Sequence, residues 1–193
     1  MLVVVGLALW LIGCAGSPAS SSSVAPRSQA SSSSGTCAGQ PTPAQTEGPY
    51  FKAGSPERSS LVEPGMSGTR LVITGHVFTQ SCTPVAGALL DFWQANNAGV
   101  YDNSGYRLRG HQFTDPMGAY SLETIVPGEY PGRTAHIHVK VRAPEKPVLT
   151  TQLYFPGEGR NQQDSIFNAA LLMDVHDISA GKAATFTFVL DVP

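Results

Sequence analysis

From about residue 50 onward, apolar and polar side chains alternate with a period of two in six stretches: 70–78, 88–93, 119–125, 135–142, 149–155 and 184–192. A period of two puts successive side chains on opposite faces of a strand, so each stretch predicts a strand with one buried face. Gly, Pro, Asn and Asp punctuate the intervals between them, as turns require. Only 164–175 has helical spacing, with Ile166, Phe167, Ala170, Leu171 and Met173 apolar and Asp164 placed as an N-cap. Short strands, no alternation of strand and helix, and no internal repeat predict an all-β, antiparallel β-sandwich, immunoglobulin-like or prealbumin-like in layout. That architecture hosts many unrelated activities and names none.

Composition supports the strands. The chain has 193 residues, of which 20 are Gly and 15 are Pro, while only 13% are charged; that balance disfavours a helical bundle. Twelve Lys and Arg stand against fourteen Asp and Glu, which leaves no basic excess for neutralising phosphates, so nucleic acid is not expected as a partner.

The first fifty residues read differently. Residues 1–12 form an apolar run, too short to span a membrane but suited to a secretory signal. Leu11-Ile12-Gly13-Cys14 looks like the lipobox of bacterial lipoproteins, which would make Cys14 the lipid-bearing first residue of the mature protein. No Lys or Arg precedes the run, so an ordinary cleaved signal stands as the alternative. Residues 15–36 hold ten Ser and no aromatic residue, a composition that cannot offset the entropy of ordering and predicts a flexible tether. The expected organisation is a signal over 1–13, a tether over 14–41 and a β-sandwich domain over 42–193, exported and either lipid-anchored at the cell surface or secreted. Export implies an oxidising compartment, in which Cys37 and Cys82 would pair as a disulfide; two unrelated thiols are the alternative.

Within the domain, Ala135-His136-Ile137-His138-Val139-Lys140-Val141-Arg142 sets two imidazoles at i and i+2 on one face of a strand, able to aim at one point. A half-buried strand with a polar outer face gives the same pattern. His76, His111 and His176 lack such a partner and read as surface or capping residues. Neither Glu123 nor Glu129 completes a familiar metal motif with the pair. The remaining donors are tyrosines: Tyr101 after a glycine-containing turn, and Tyr130, six residues before His136. A lone tyrosine there is ordinarily a packing residue, but two of them beside a His pair suggest a metal other than zinc.

At these residues the chain resembles the intradiol ring-cleavage dioxygenases, in particular their compact extracellular branch. The resemblance runs in order through TPAQTEGPYF at 42–51, LDFW at 90–93, GVY at 99–101, RG at 109–110 and TD at 114–115, then TIVPGEY at 124–130, RTAHIH at 133–138 and TQLYF at 151–155. It implies one non-haem Fe(III) held by Tyr101 and His138 as equatorial ligands and Tyr130 and His136 as axial ones, with hydroxide in the fifth position. Phenolates suit a hard trivalent ion, since two of them with hydroxide balance its three charges away from water. The implied reaction is cleavage of a catechol-type aromatic diol by O2 between the two hydroxylated carbons, to a cis,cis-muconate-type diacid. Tyr130 would accept a substrate proton and Arg133 would stabilise charge developing on the ring. Gln152 and Tyr154 match positions that orient ligands or the incoming hydroxyl; ordinary strand residues are the alternative for both. Gly48, Pro49 and Tyr50 resemble a segment that lines the pocket, within one chain or across a dimer.

Two departures bear on the substrate. Only Pro131 and Gly132 separate Tyr130 from Arg133, where many family members carry a longer loop, so a more open cleft is expected. The Ser-rich segment takes the place of the helical dimerisation segment of the catechol 1,2-dioxygenase branch, which leaves the oligomeric state open, a homodimer among the options. Two other classes compete: a zinc hydrolase built on His136 and His138, which lacks a nearby third ligand of the usual kind, and a non-catalytic cell-surface sandwich that binds sugar, peptide or a surface partner.

Overall fold

The computed structural model describes residues 2–3, 37 and 39–192. Cys14, the expected signal and most of the expected tether lie outside the described residues. Among the described residues there are nine strands: β1 (Arg70–Thr79), β2 (Leu89–Trp93), β3 (Arg109–Phe113), β4 (Ala119–Ile125), β5 (His136–Arg142), β6 (Leu149–Tyr154), β7 (Asp174–Ile178), β8 (Gly181–Thr185) and β9 (Phe188–Leu190). One sheet runs β4-β1-β8-β7 with β9 also on β1, and the other runs β3-β2-β5-β6. The two form the expected all-β sandwich.

The alternation in the sequence becomes the core. Leu71, Ile73 and Val77 of β1, Leu122 of β4, Leu90 and Phe92 of β2, and Ile137, Val139 and Val141 of β5 are all fully buried between the sheets. Each such side chain contributes about 1.5–3 kcal/mol relative to exposure. The first sheet is mixed rather than purely antiparallel, because β1 pairs in parallel with both β8 and β9. The single strand expected over 184–192 is divided at Phe186, whose carbonyl passes so close to Gly75 that a Cβ there would lie 1.8 Å from it. Phe186 N–H donates to the Thr74 carbonyl at 3.1 Å, and the Tyr120 hydroxyl donates to the Phe186 carbonyl at 2.9 Å. A glycine on β1 is what lets the crossing chain approach.

The helix expected over 164–175 does not form. Asp164 Oδ1 accepts the Ile166 N–H at 3.1 Å in a turn, Asn168 caps a 3-10 helix at Ala169–Leu171, and the chain then enters β7. Leu171 and Met173 are buried whereas Leu172 is not, a period of two rather than 3.6. The free edge of β6 accounts for this: Tyr154 bridges to Leu172 and its carbonyl accepts the Met173 N–H at 3.0 Å. An open ladder edge outcompeted a weak helical pattern. Strands β3 and β7 were not anticipated, since RGHQF and DVHDI carry few apolar residues.

Cys37 and Cys82 are joined by a disulfide across a sequence separation of 45.

Candidate metal centre

Strand β5 carries both imidazoles on the face away from the core, yet His136 and His138 are only 2% and 1% exposed. Two loops bury them. The segment 45–51 crosses the sheet so closely that a Cβ on Gly48, which sits at φ +69, would lie 3.5 Å from His138 Cε1. Tyr50 of the same segment stacks on Tyr101, with centroids 4.2 Å apart and planes at 13°, and meets Tyr130 edge-on at 6.0 Å. Pro49 between them is exposed. On the other side, the chain turns back between Tyr130 and Arg133 with the Arg133 N–H on the Tyr130 carbonyl at 2.9 Å. Gly132 supplies the required φ of +80, and Pro131 and Gly132 are exposed.

Four side chains named by the sequence therefore meet. The Nε2 atoms of His136 and His138 are 3.1 Å apart, and the Tyr130 hydroxyl is 3.5 Å from His136 Nε2. The Tyr101 ring lies 5.7 Å from that of Tyr130 and 6.2 Å from that of His138. His136 Nδ1 is 2.6 Å from the Thr134 carbonyl; a carbonyl only accepts, so the proton sits on Nδ1 and Nε2 keeps its lone pair. Burial, with Arg133 adding, lowers the His136 pKa to about 4. Burial, with His136 and Arg133 adding, takes His138 well below the ordinary value. Both rings are thus neutral at neutral pH. Burial raises Tyr101 far above its ordinary value, Tyr130 adds to this, and the Arg133 and Arg109 charges oppose it. Tyr130 is raised by burial, against Arg133.

Two neutral imidazoles whose Nε2 atoms face each other, with His138 Nδ1 and the buried Tyr101 hydroxyl lacking any hydrogen-bond partner, leave buried polar groups that the protein itself does not satisfy. Among the described residues no group of three or more His, Cys, Asp or Glu could hold a metal, and the donors around the imidazoles are phenols. Two nitrogens and two ionisable oxygens are a donor set that suits a hard trivalent cation such as Fe(III).

Arg133 ties the site together. Its Nη1 lies 3.3 Å from the Tyr130 hydroxyl, its Nη2 donates to Gln152 Oε1 and lies 3.5 Å from the Tyr154 hydroxyl, and its Nε donates to Asp164 Oδ2 at 2.9 Å. Gln152 is fully buried and donates to the Thr46 carbonyl at 3.0 Å. The Tyr154 hydroxyl donates to Gln45 Oε1 at 2.7 Å. Through these contacts the segment 45–51 is fastened to the site of its own chain.

Sequence reasoning gave no role at the site to Asp164, Trp93 or Arg109, although Trp93 and Arg109 lie in segments that carry the resemblance. Asp164 read as a helix cap but serves Arg133. Trp93 and Arg109 belong to a row that crosses the sheet: Arg109 on β3 pairs with Trp93 on β2, Trp93 with His138 on β5, and His138 with Gln152 on β6. Trp93 stacks on His138 at 4.7 Å with planes at 9°. Arg109 is 2% exposed, and the pairing of β3 with β2 brings it into this row. The scattered histidines stand apart from the centre: His176 is exposed, His76 is half-buried and stacked on Phe78, and His111 Nδ1 lies 2.8 Å from the Ser55 carbonyl.

The family model described as Dioxygenase matches residues 46–192. Catechol 1,2-dioxygenase 2 of Acinetobacter lwoffii is 34% identical over 143 residues, which are 61% of this chain and 52% of that protein. Among solved structures, the dioxygenase domain of a dioxygenase carbohydrate-binding protein fusion from the cellulolytic bacterium Streptomyces sp. SirexAA-E is 58% identical, with a TM-score of 0.78 over 80% of this chain and 100% of that one. The 3-chlorocatechol 1,2-dioxygenase of Rhodococcus opacus is 31% identical, with a TM-score of 0.74 over 79% of this chain and 73% of that one. The chain spans about half the length of the first curated relatives it matches. With the family match covering most of the sandwich and the paired imidazoles and phenols lying inside it, the chain belongs to the intradiol ring-cleavage dioxygenases.

Proposed function

We propose that this protein is an exported, non-haem Fe(III) intradiol dioxygenase that cleaves a small catechol-type diol with O2 between its hydroxylated carbons. The family typically uses non-haem ferric iron. The observation that carries the reading is the meeting at His136 Nε2 of His138 Nε2, 3.1 Å away, and the Tyr130 hydroxyl, 3.5 Å away, beside the unpartnered hydroxyl of Tyr101.

Tyr101, Tyr130, His136 and His138 would hold the ion. Bound there, ferric iron would supply a Lewis acid and template for the chelated diol and for O2. The rest falls to the chain. Tyr130, on a turn with exposed Pro131 and Gly132, would offer its Oη as the acceptor of the proton from one diol hydroxyl. Arg133, 3.3 Å from that oxygen, steadies negative charge there and beside the ring as bonds reorganise. Gln152 and Asp164 fix the guanidinium plane. Gly48 and Tyr50 cover the imidazoles and the phenols and exclude water.

Iron loading tests the reading. The purified chain, loaded anaerobically with Fe(II) and exposed to air, is expected to turn wine-red through phenolate-to-iron charge transfer, and to consume one O2 per catechol with diacid formed. A chain that stays colourless refutes the metal assignment and leaves the binding-module and zinc readings. Tyr130→Phe is expected to keep part of the iron and slow turnover; unaltered turnover removes Tyr130 as the proton acceptor. The same proposal places the mature chain on a lipid anchor at Cys14. Cys14→Ser should then move the protein from the membrane fraction to the soluble one, and unchanged fractionation contradicts the anchor.

A further inference from the structure

Arg109 is a cation with 2% exposure in the row that crosses the sheet. Its Nε and Nη2 both lie on the Asp102 carbonyl, at 3.3 and 3.0 Å, and Asp102 directly follows Tyr101. Its Nη1 is buried with no hydrogen-bond partner. A buried guanidinium is costly, and this one has no carboxylate hydrogen-bonded to it: Asp102 offers its main chain, while the Asp102 carboxylate accepts the N–H groups of Ser104, Gly105 and Arg107. The guanidinium therefore does not act as half of an ion pair. It grips the main chain that carries Tyr101, and its own residue is the register partner of Trp93, whose ring stacks on His138.

We propose that Arg109 is a positioning residue for Tyr101: from β3 its two-pronged hold on the Asp102 carbonyl fixes the loop that bears the phenol and sets a buried positive charge on that phenol's side of the site. Arg133 serves Tyr130, 3.3 Å away, and Arg109 serves the other tyrosine through its backbone. The inference rests on the iron reading above and adds a residue that contacts neither the proposed ligand atoms nor the substrate.

The test reads the colour of the iron-loaded chain rather than its turnover. A positive charge beside a phenolate lowers the energy of its electrons, so moving one to the metal takes more energy. Arg109→Met should shift the visible band to longer wavelength and broaden it, because both charge and hold are lost. Arg109→Lys keeps the charge but offers a point donor in place of the planar fork, so its band should broaden with a smaller shift. A purely structural arginine would lower the melting temperature of both variants and leave the band where it was. A wild-type band in either folded variant overturns the proposal, and the lysine variant decides the matter if the methionine variant does not fold. Failure of the underlying reading looks different, since the wild-type chain would then take up iron without colour, and both readings would fall together.

Discussion

Asp164→Asn isolates the ion pair that anchors Arg133. The carboxylate side chain is 1% exposed and that of Arg133 15%, with Nε to Oδ2 at 2.9 Å. The same carboxylate accepts the N–H of Thr134 at 3.1 Å and of Ile166 at 3.1 Å. Removing one partner of a buried pair costs about 3–5 kcal/mol, most of it from the charge left behind. The amide preserves shape and one acceptor, which places the expected loss near the lower figure, about 3 kcal/mol. For a domain of this size that is a fall in Tm of about 6–12 °C.

The sign of the pH dependence follows from the same contacts. Burial alone would raise the Asp164 pKa, but the Arg133 bond and the two N–H groups outweigh it and hold it below the ordinary 3.8. A lowered native pKa contributes stability that is fully present above the unfolded value and disappears as pH falls through the native one. The amide mimics the protonated carboxyl, so wild type and variant should differ most at pH 7 and converge below about pH 4. Circular-dichroism melts of both proteins from pH 7 to pH 3, with the disulfide intact, measure this. A Tm difference under about 2 °C at neutral pH, or one that does not narrow with acid, refutes the assignment of Asp164 as the counter-charge.

Gly48→Ala should cost about 1–3 kcal/mol, because Gly48 has φ +69, and the strained segment, whose new methyl would be in ordinary contact with His138 Cε1 at 3.5 Å, should weaken iron retention; equilibrium dialysis against a chelator reads the second effect, and retention equal to wild type counts against close cover of the site by this segment. Reducing the Cys37–Cys82 bond, which closes a separation of 45 residues, should lower stability by about 4 kcal/mol on chain-entropy grounds. Denaturant unfolding with and without reductant checks it, and coincident curves would show that the bridge restrains little in the unfolded chain.

What could be read from the sequence depended on how far each feature relied on distant partners. The alternation at 119–125 is local, and it matches β4 residue for residue. The two imidazoles were equally legible as neighbours, because i and i+2 on a strand must share a face. Their burial was not, since it comes from Gly48 and Tyr50 some ninety residues earlier in the chain. The segment 164–175 shows the opposite case: a local helical pattern lost to the open edge of β6, a partner no local window contains.

The two arginines extend that point to the chemistry. Arg133 could be noticed because it stands three residues before His136, whereas Arg109 stands in a polar stretch that does not look like a strand. Its placement depends on β3 pairing with β2 in the register that sets Arg109 opposite Trp93 and Trp93 opposite His138. A one-residue slip in that register would turn Arg109 to the other face of the sheet, away from the main chain of Tyr101. The register of β3 therefore decides whether Arg109 can hold the main chain beside Tyr101. Gly110, next to Arg109, lets the strand pack against the preceding loop, since a Cβ there would lie 2.8 Å from both Arg58 Cγ and Leu61 Cδ2.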